Sequence, residues 1–312
     1  LEGNREEESV KLSIYKDITF DHAPSPQNPT LHTDALIECE VSGQPAPEVS
    51  WRYKGTKITT GGRYTLATEG LYINNITEDD NGNYDCRAEV AVDGRFDERR
   101  IYVEVYILPE VTVPPGEVEG IEGQETSLTC FATGKPTPQY EFFKDDNDFP
   151  VSPNDRIQVD KDNGEIAFRP LQKGDEGDYK CKAINKAGSD YGLGNLFVVV
   201  PPRVTELYNV SALEDSQATL KCITNADPVA TMTWRKVGNL DDYEEGDNEG
   251  GRVYVEKVSG DELHLTISDL TPDDQSNYTC KAVNRGGDIS KNGTITVEFE
   301  PRFEDDHIDH FY

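Results

Sequence analysis

The chain has 312 residues, enough for two or three ordinary domains, with 30 Lys+Arg against 60 Asp+Glu and a formal net charge of −30. That balance argues against nucleic acid and anionic membrane surfaces as general partners, because both would be repelled at long range. It does not signal disorder, since 9% of the residues are aromatic and regular apolar alternation supplies three small cores.

Leu1 is not an initiator and no basic-then-apolar leader precedes it. A signal peptide is expected to have been removed, or the chain to start inside a longer protein. Residues 10–15 alternate apolar and polar as a strand does. Ala35-Leu36-Ile37-Glu38 leads into Cys39, followed by Gly43-Gln44-Pro45-Ala46-Pro47 and Trp51. A basic run comes next, with Arg52, Lys54, Lys57 and Arg63 and no acidic residue between Trp51 and Thr65. Leu71-Tyr72-Ile73 reads as a strand, and Asp80-Asn81-Gly82-Asn83-Tyr84-Asp85-Cys86 closes the first unit.

The pattern then repeats, and an internal period of this size decides the architecture. After the joint Leu108-Pro109-Glu110-Val111 come Cys130, Gly134-Lys135-Pro136-Thr137-Pro138, Phe142, the strand Ile166-Ala167-Phe168 and Asp175-Glu176-Gly177-Asp178-Tyr179-Lys180-Cys181. After the joint Val200-Pro201-Pro202-Arg203-Val204 come Cys222, Trp234, an alternating strand at 263–267 and Asp274-Gln275-Ser276-Asn277-Tyr278-Thr279-Cys280. An aromatic stands 12 residues after the first cysteine in all three copies. The turns Asn185-Lys186-Ala187-Gly188 and Asn284-Arg285-Gly286-Gly287 hold residues that tolerate positive φ.

Each repeated feature has a mechanical reason. Two facing sheets about 10 Å apart can be pinned through the core by one disulfide with an aromatic packed on it. Even spacing puts Tyr84, Tyr179 and Tyr278 on the same inner face as the cysteine two residues later, where they fit a tyrosine corner. Six cysteines formally allow fifteen connectivities. The separations of 47, 51 and 58 favour Cys39–Cys86, Cys130–Cys181 and Cys222–Cys280, which implies an oxidising, extracellular compartment. Each loop of about 50 residues so closed should contribute roughly 4 kcal/mol on the chain-entropy model. Arg63 with Asp80, Arg156 with Asp175 and Arg252 with Asp274 recur and read as salt bridges closing one end of each sandwich.

A search for chemistry finds little. The five histidines are His22, His32, His264, His307 and His310, and no nucleophile elbow, phosphate loop or H-E-x-x-H pattern occurs. No cysteine pair has zinc-ribbon or redox spacing. Asp305-Asp306-His307-Ile308-Asp309-His310 offers metal-ligand types but reads as an acidic tail, and the acidic stretches 145–148 and 241–249 lack calcium-loop spacing. No enzyme activity, metal or cofactor is therefore expected. Sequons stand at Asn75, Asn209, Asn277 and Asn292, in keeping with a secretory route. The longest strongly apolar run, residues 196–200, is far short of the roughly 18–20 a membrane helix needs. No membrane contact is expected of this chain, and any anchor lies outside it.

The Cys…Trp…Asp-x-Gly-x-Tyr-x-Cys signature resembles I-set domains of the immunoglobulin superfamily over nearly the whole chain. Phe20-Asp21-His22-Ala23-Pro24-Ser25-Pro26-Gln27, the hairpin from Cys86 to Phe96 and a strand over 101–107 look like the second immunoglobulin domain of the neural cell adhesion molecule and fasciclin II family. Phe142 and Ser276 depart from the signature, standing where the core Trp and the corner Gly are expected. The resemblance implies an all-β chain of three tandem I-set sandwiches in a semi-rigid rod. Its parts are residues 1–17 as the closing strand of a preceding domain or an extension, domains at 18–108, 109–200 and 201–303, and an acidic tail at 304–312. It also implies a cell-surface role in adhesion, homophilic or with other cell-surface immunoglobulin proteins, as in neuronal contact and axon guidance. Arg52, Lys54 and Lys57 fall where that family is basic and associated with heparan-type glycans. The alternatives are a receptor ectodomain or secreted decoy for a separate ligand, and a cytoplasmic I-set array of muscle, which the paired cysteines and sequons oppose.

Overall fold

The computed structural model describes residues 15–300 except Asp146 and Phe149. The alternating residues 10–14 and the tail bearing His307 and His310 lie outside the described residues. The first sandwich contains β1 (Lys16–His22), β2 (Ala35–Glu38), β3 (Glu40–Gln44), β4 (Glu48–Tyr53), β5 (Thr56–Ile58), β6 (Tyr64–Leu66), β7 (Gly70–Ile73), β8 (Gly82–Glu89) and β9 (Phe96–Val103). One face is the sheet β2-β7-β6 and the other is β5-β4-β8-β9, with β1 paired to β3. Lys16 already pairs with Gln44, so the first sandwich begins two residues before the expected boundary.

The second sandwich runs through β10 (Ile107–Val113), β11 (Gly116–Ile121), β12 (Thr126–Thr129), β13 (Phe131–Lys135), β14 (Gln139–Lys144), β15 (Ile157–Asp160), β16 (Glu165–Phe168), β17 (Gly177–Asn185) and β18 (Gly188–Glu206). The third adds β19 (Val210–Leu213), β20 (Ala218–Asp227), β21 (Thr231–Lys236), β22 (Asn248–Glu249), β23 (Val253–Ser259), β24 (Glu262–Ile267), β25 (Ser276–Asn284) and β26 (Gly287–Glu298). Among the described residues the only helical pieces are three 3₁₀ turns, each just before a tyrosine corner.

The core follows the spacing of the sequence. Three disulfides join Cys39–Cys86, Cys130–Cys181 and Cys222–Cys280. Trp51, Phe142 and Trp234 lie opposite Cys86, Cys181 and Cys280 on the neighbouring strand and are fully buried. Each corner tyrosine donates its hydroxyl to a carbonyl four residues back: Tyr84 to Asp80, Tyr179 to Asp175 and Tyr278 to Asp274. Those aspartates are themselves buried and paired with Arg63, Arg156 and Arg252. Burial alone would raise the Asp274 carboxyl, yet the Arg252 guanidinium and the Thr271 amide and hydroxyl hold it down to about 2. At the corner position, Gly82 and Gly177 take φ of +139° and +152°. Ser276 is outside the left-handed region, so the third corner accepts a side chain by turning differently.

The two joints are built differently. The expected strand over 101–107 breaks: β9 ends at Val103, and Ile107 opens β10 by pairing with Lys135 of the second sandwich. Residues 104–106 stay with the first sandwich, because Val105 donates to Asn81 Oδ1 and Tyr106 to the Pro29 carbonyl. At the second joint β18 runs unbroken for 19 residues. It pairs with β17 and β11 in one sandwich and, beyond Val200, with β20 in the next.

Candidate functional site

The acid-free basic run does not stay together once folded. Tyr53 and Thr56 pair across a two-residue turn in which Lys54 and Gly55 both take positive φ. Lys54 therefore leaves the sheet at its end, with Nζ 4.7 Å from the Tyr53 ring centre and 3.5 Å from the Asp79 carbonyl. Arg63 is consumed by Asp80. Only Arg52 and Lys57 remain as exposed neighbours, directly opposite each other on β4 and β5.

The rest of the surface comes from strands the basic run does not include. Arg52 also lies opposite Asp85 on β8, and Asp85 lies opposite Arg100 on β9. Arg100 Nε is 2.8 Å from Asp85 Oδ1. One row across the outer face of the sheet thus reads Lys57, Arg52, Asp85, Arg100. In the next row Arg87 faces Glu98 and lays its guanidinium 3.7 Å above the exposed Phe96 ring. Directly opposed like charges such as Arg52 and Lys57 repel, and Asp85 beside them relieves this. Arg87 and Arg100 were missed in the sequence. Counting the strand register forward from Tyr84 and Cys86 would have found them, because β8 and β9 pair without a slip.

The matching sheet of the second sandwich, β14-β17-β18, has a different outer face. Tyr191 and Leu193 stand 63% and 64% exposed beside Lys182 and Lys180, and Lys180 Nζ sits 4.9 Å over the Phe143 ring. An acidic rim borders them. Asp145, Asp148 and Asp178 line a groove of about 540 Å³ together with Lys180 and Leu193, so three carboxylates there outnumber one ammonium. Asp145 Oδ1 accepts the Asp178 amide, and Asp178 Oδ1 accepts from Asn195. Asp241, Asp242, Asp247 and Glu249 line a similar open groove of about 620 Å³ in the third sandwich. Among the described residues no three His, Cys, Asp or Glu side chains are arranged to hold a metal ion, and no helix is long and apolar enough to cross a membrane.

The joints hold a second set of residues that sequence reasoning undervalued. In the turns expected to hold residues that tolerate positive φ, Gly188 and Gly287 take it, while Asn185 and Asn284 act through their amides. Asn185 Nδ2 donates to the carbonyls of Ile107 and Pro136 at 2.8 Å each. Asn284 Nδ2 donates to those of Val200 and Pro228 at 2.9 Å each. Each turn so grips the strand entering its own sandwich. Around the second joint Lys173 pairs with Asp227, Arg203 with Glu122 and Arg285 with Glu119, at 2.6, 3.0 and 2.9 Å. The first joint has Lys135 and Glu104 at 3.5 Å.

Comparison with known proteins adds the lineage. The immunoglobulin I-set domain model matches residues 18–103, and the immunoglobulin domain model matches 109–185 and 201–284. Fasciclin-2 of Schistocerca americana is 35% identical over 95% of this chain and 34% of its own length. Neural cell adhesion molecule 1 of Bos taurus is 28% identical over 97% of this chain and 37% of its own length. The chain thus spans about a third of the length of these relatives. In fold it is similar to the titin I-band fragment I67–I69, with a TM-score of 0.74 and 23% identity over 90% of this chain and 98% of that one.

Proposed function

The chain belongs to the immunoglobulin superfamily as three tandem domains, and on that premise we propose that it is the extracellular, adhesive part of a cell-surface protein that sticks cells together by contacts between copies of itself. Its relatives are adhesion molecules with immunoglobulin domains, which supports an adhesion role. Fold alone would not do so. The names of the neural cell adhesion molecules suggest a neuronal setting, with axon guidance as the use that contact between growing cell surfaces would serve. No catalytic role is part of this reading.

The observation that carries the homophilic part is charge placed on two different sandwiches of one chain. A net charge of −30 repels identical copies at long range, so recognition must be local. The row Lys57, Arg52, Arg100 on the first sandwich and the rim Asp145, Asp148, Asp178 on the second are complementary in sign. Two chains lying antiparallel can make that contact twice, as a two-fold interface requires. Asp85 and Glu98 interleave with the basic residues. A polyanion such as heparan sulfate would meet those carboxylates too, so a protein partner fits this face better.

Sedimentation across salt concentrations tests the reading. This chain should self-associate weakly at low salt and less at high salt. A tight dimer unaffected by reversing Arg52, Lys57 and Arg100 to Glu would remove the basic row from the account. A monomer at every salt concentration would favour a receptor for a separate ligand.

A further inference from the structure

Three of the four sequons converge on one surface of the third sandwich, although they are far apart in sequence. Across β25 and β26, Asn277 lies opposite Thr294 and Thr279 lies opposite Asn292. Each sequon's hydroxyl is bonded to the other's asparagine: Thr294 Oγ1 donates to Asn277 Oδ1, and Thr279 Oγ1 donates to Asn292 Oδ1, both at 2.7 Å. The Thr294 amide donates to Asn209 Oδ1 at 2.9 Å. Gly293, the middle residue of the third of these sequons, is buried, and Leu207 Cδ1 lies 3.0 Å from where its Cβ would be. That close approach ties the segment bearing Asn209 to β26.

The consequence is chemical. All three asparagines are exposed and spend their oxygen on the protein. Among the described residues none of the three amide nitrogens donates a hydrogen bond to the protein. The nitrogen is the atom an N-linked sugar occupies, so a glycan can be carried at each site with the oxygen's bond kept. Tyr208, next to Asn209, is 70% exposed and offers a flat apolar face for the first sugar to lie on.

We propose that Asn209, Asn277 and Asn292 form one glycan patch that closes the outer face of the sheet β19-β26-β25-β21 to protein contacts. The inference rests on the extracellular reading above. It goes further by assigning the third sandwich a shielded face. Lys281, exposed on the same outer face two residues beyond Thr279, reports on the shield. Lys257, exposed on the other sheet, serves as the control.

The test uses the chain secreted from eukaryotic cells. Peptide mass mapping should find glycan at two or three of the patch sites, and Asn277→Gln and Thr279→Ala should each remove the same glycan. Trimming the glycans with an endoglycosidase should raise acylation of Lys281 by an N-hydroxysuccinimide ester severalfold and leave Lys257 unchanged. Glycan at none or only one of the three sites overturns the patch, and so does unchanged Lys281 reactivity after trimming. Occupancy of Asn75 separates the causes: glycan at Asn75 with a bare patch defeats this inference alone, whereas a chain bare at all four sites defeats the extracellular reading as well.

Discussion

The two joints use the same turn chemistry and differ in the strands and ion pairs laid around it. In both, an asparagine of the following sandwich grips two carbonyls, and a turn glycine lets the linker come close. A Cβ on Gly188 would come within 2.6 Å of Leu108, and one on Gly286 within 2.7 Å of Val199. Past that common part they diverge. At the first joint the chain leaves one sheet at Val103 and enters the next at Ile107. At the second a single strand serves both sandwiches and three ion pairs surround it. The ladder of that strand slips between Val200 and Arg203, so what distinguishes this joint is the set of ion pairs that cross it, each joining the second sandwich to the third. The difference teaches that the repeated unit sets the fold, while side chains outside it set how many links cross each joint. The joint with one ion pair lies beside the sandwich that bears the basic row, and the joint with three lies farther along.

The largest expected effect is a control on that comparison. Trp51→Ala and Trp234→Ala should each cost about 3–5 kcal/mol by denaturant titration, since both are buried against equivalent disulfides. Very unequal costs would mean that the sandwiches, and not only the joints, differ. Next come Asn185→Ala and Asn284→Ala. Each removes two hydrogen bonds to carbonyls, one set per joint, and should cost about 1–3 kcal/mol, to a similar degree at the two joints, as read by urea unfolding of the full chain.

The charge effects are smaller and should be one-sided. Individual ion pairs of this exposure contribute about 0.2–1 kcal/mol. Replacing Lys173, Arg203 and Arg285 by Met should broaden the distance distribution between spin labels on the second and third sandwiches. Lys135→Met should leave the first joint as it was. Acid should act inside the second sandwich. Lys173 holds the Glu176 carboxyl below its usual range, so the contribution of that pair is complete above the ordinary carboxylate pKa. It is lost as pH falls below about 4.3 through the lower folded value. Urea unfolding should therefore show the chain losing stability in that window, and Lys173→Met should lessen the loss.

Much of this was legible in the sequence for a physical reason. A disulfide, the aromatic upon it and a tyrosine corner must sit at fixed spacings along single strands, so Cys130, Phe142 and Tyr179 announce themselves even with Phe in place of Trp. The candidate surface was only half visible. Arg52 and Lys57 are close in sequence, but Asp85 and Arg100 join them through strand pairing. Lys54 was misplaced because its positive φ carries it off the row. The pairs Arg203–Glu122 and Arg285–Glu119 connect distant segments, and no local pattern marks them. The break after Val103 was missed because residues 101–107 keep alternating while their hydrogen bonds change partners.

The central claim is that one chain bears both halves of its own adhesive contact, and bead aggregation tests it most directly because many weak contacts act together on a bead. Beads coated with this chain should aggregate, and beads coated with Arg52→Glu, Lys57→Glu, Arg100→Glu chains should not. Beads bearing Asp145→Lys, Asp148→Lys chains should likewise stay dispersed, yet mixing the two variant populations should restore aggregation between them. Wild-type beads that never aggregate, or variant populations that remain apart when mixed, would contradict the account.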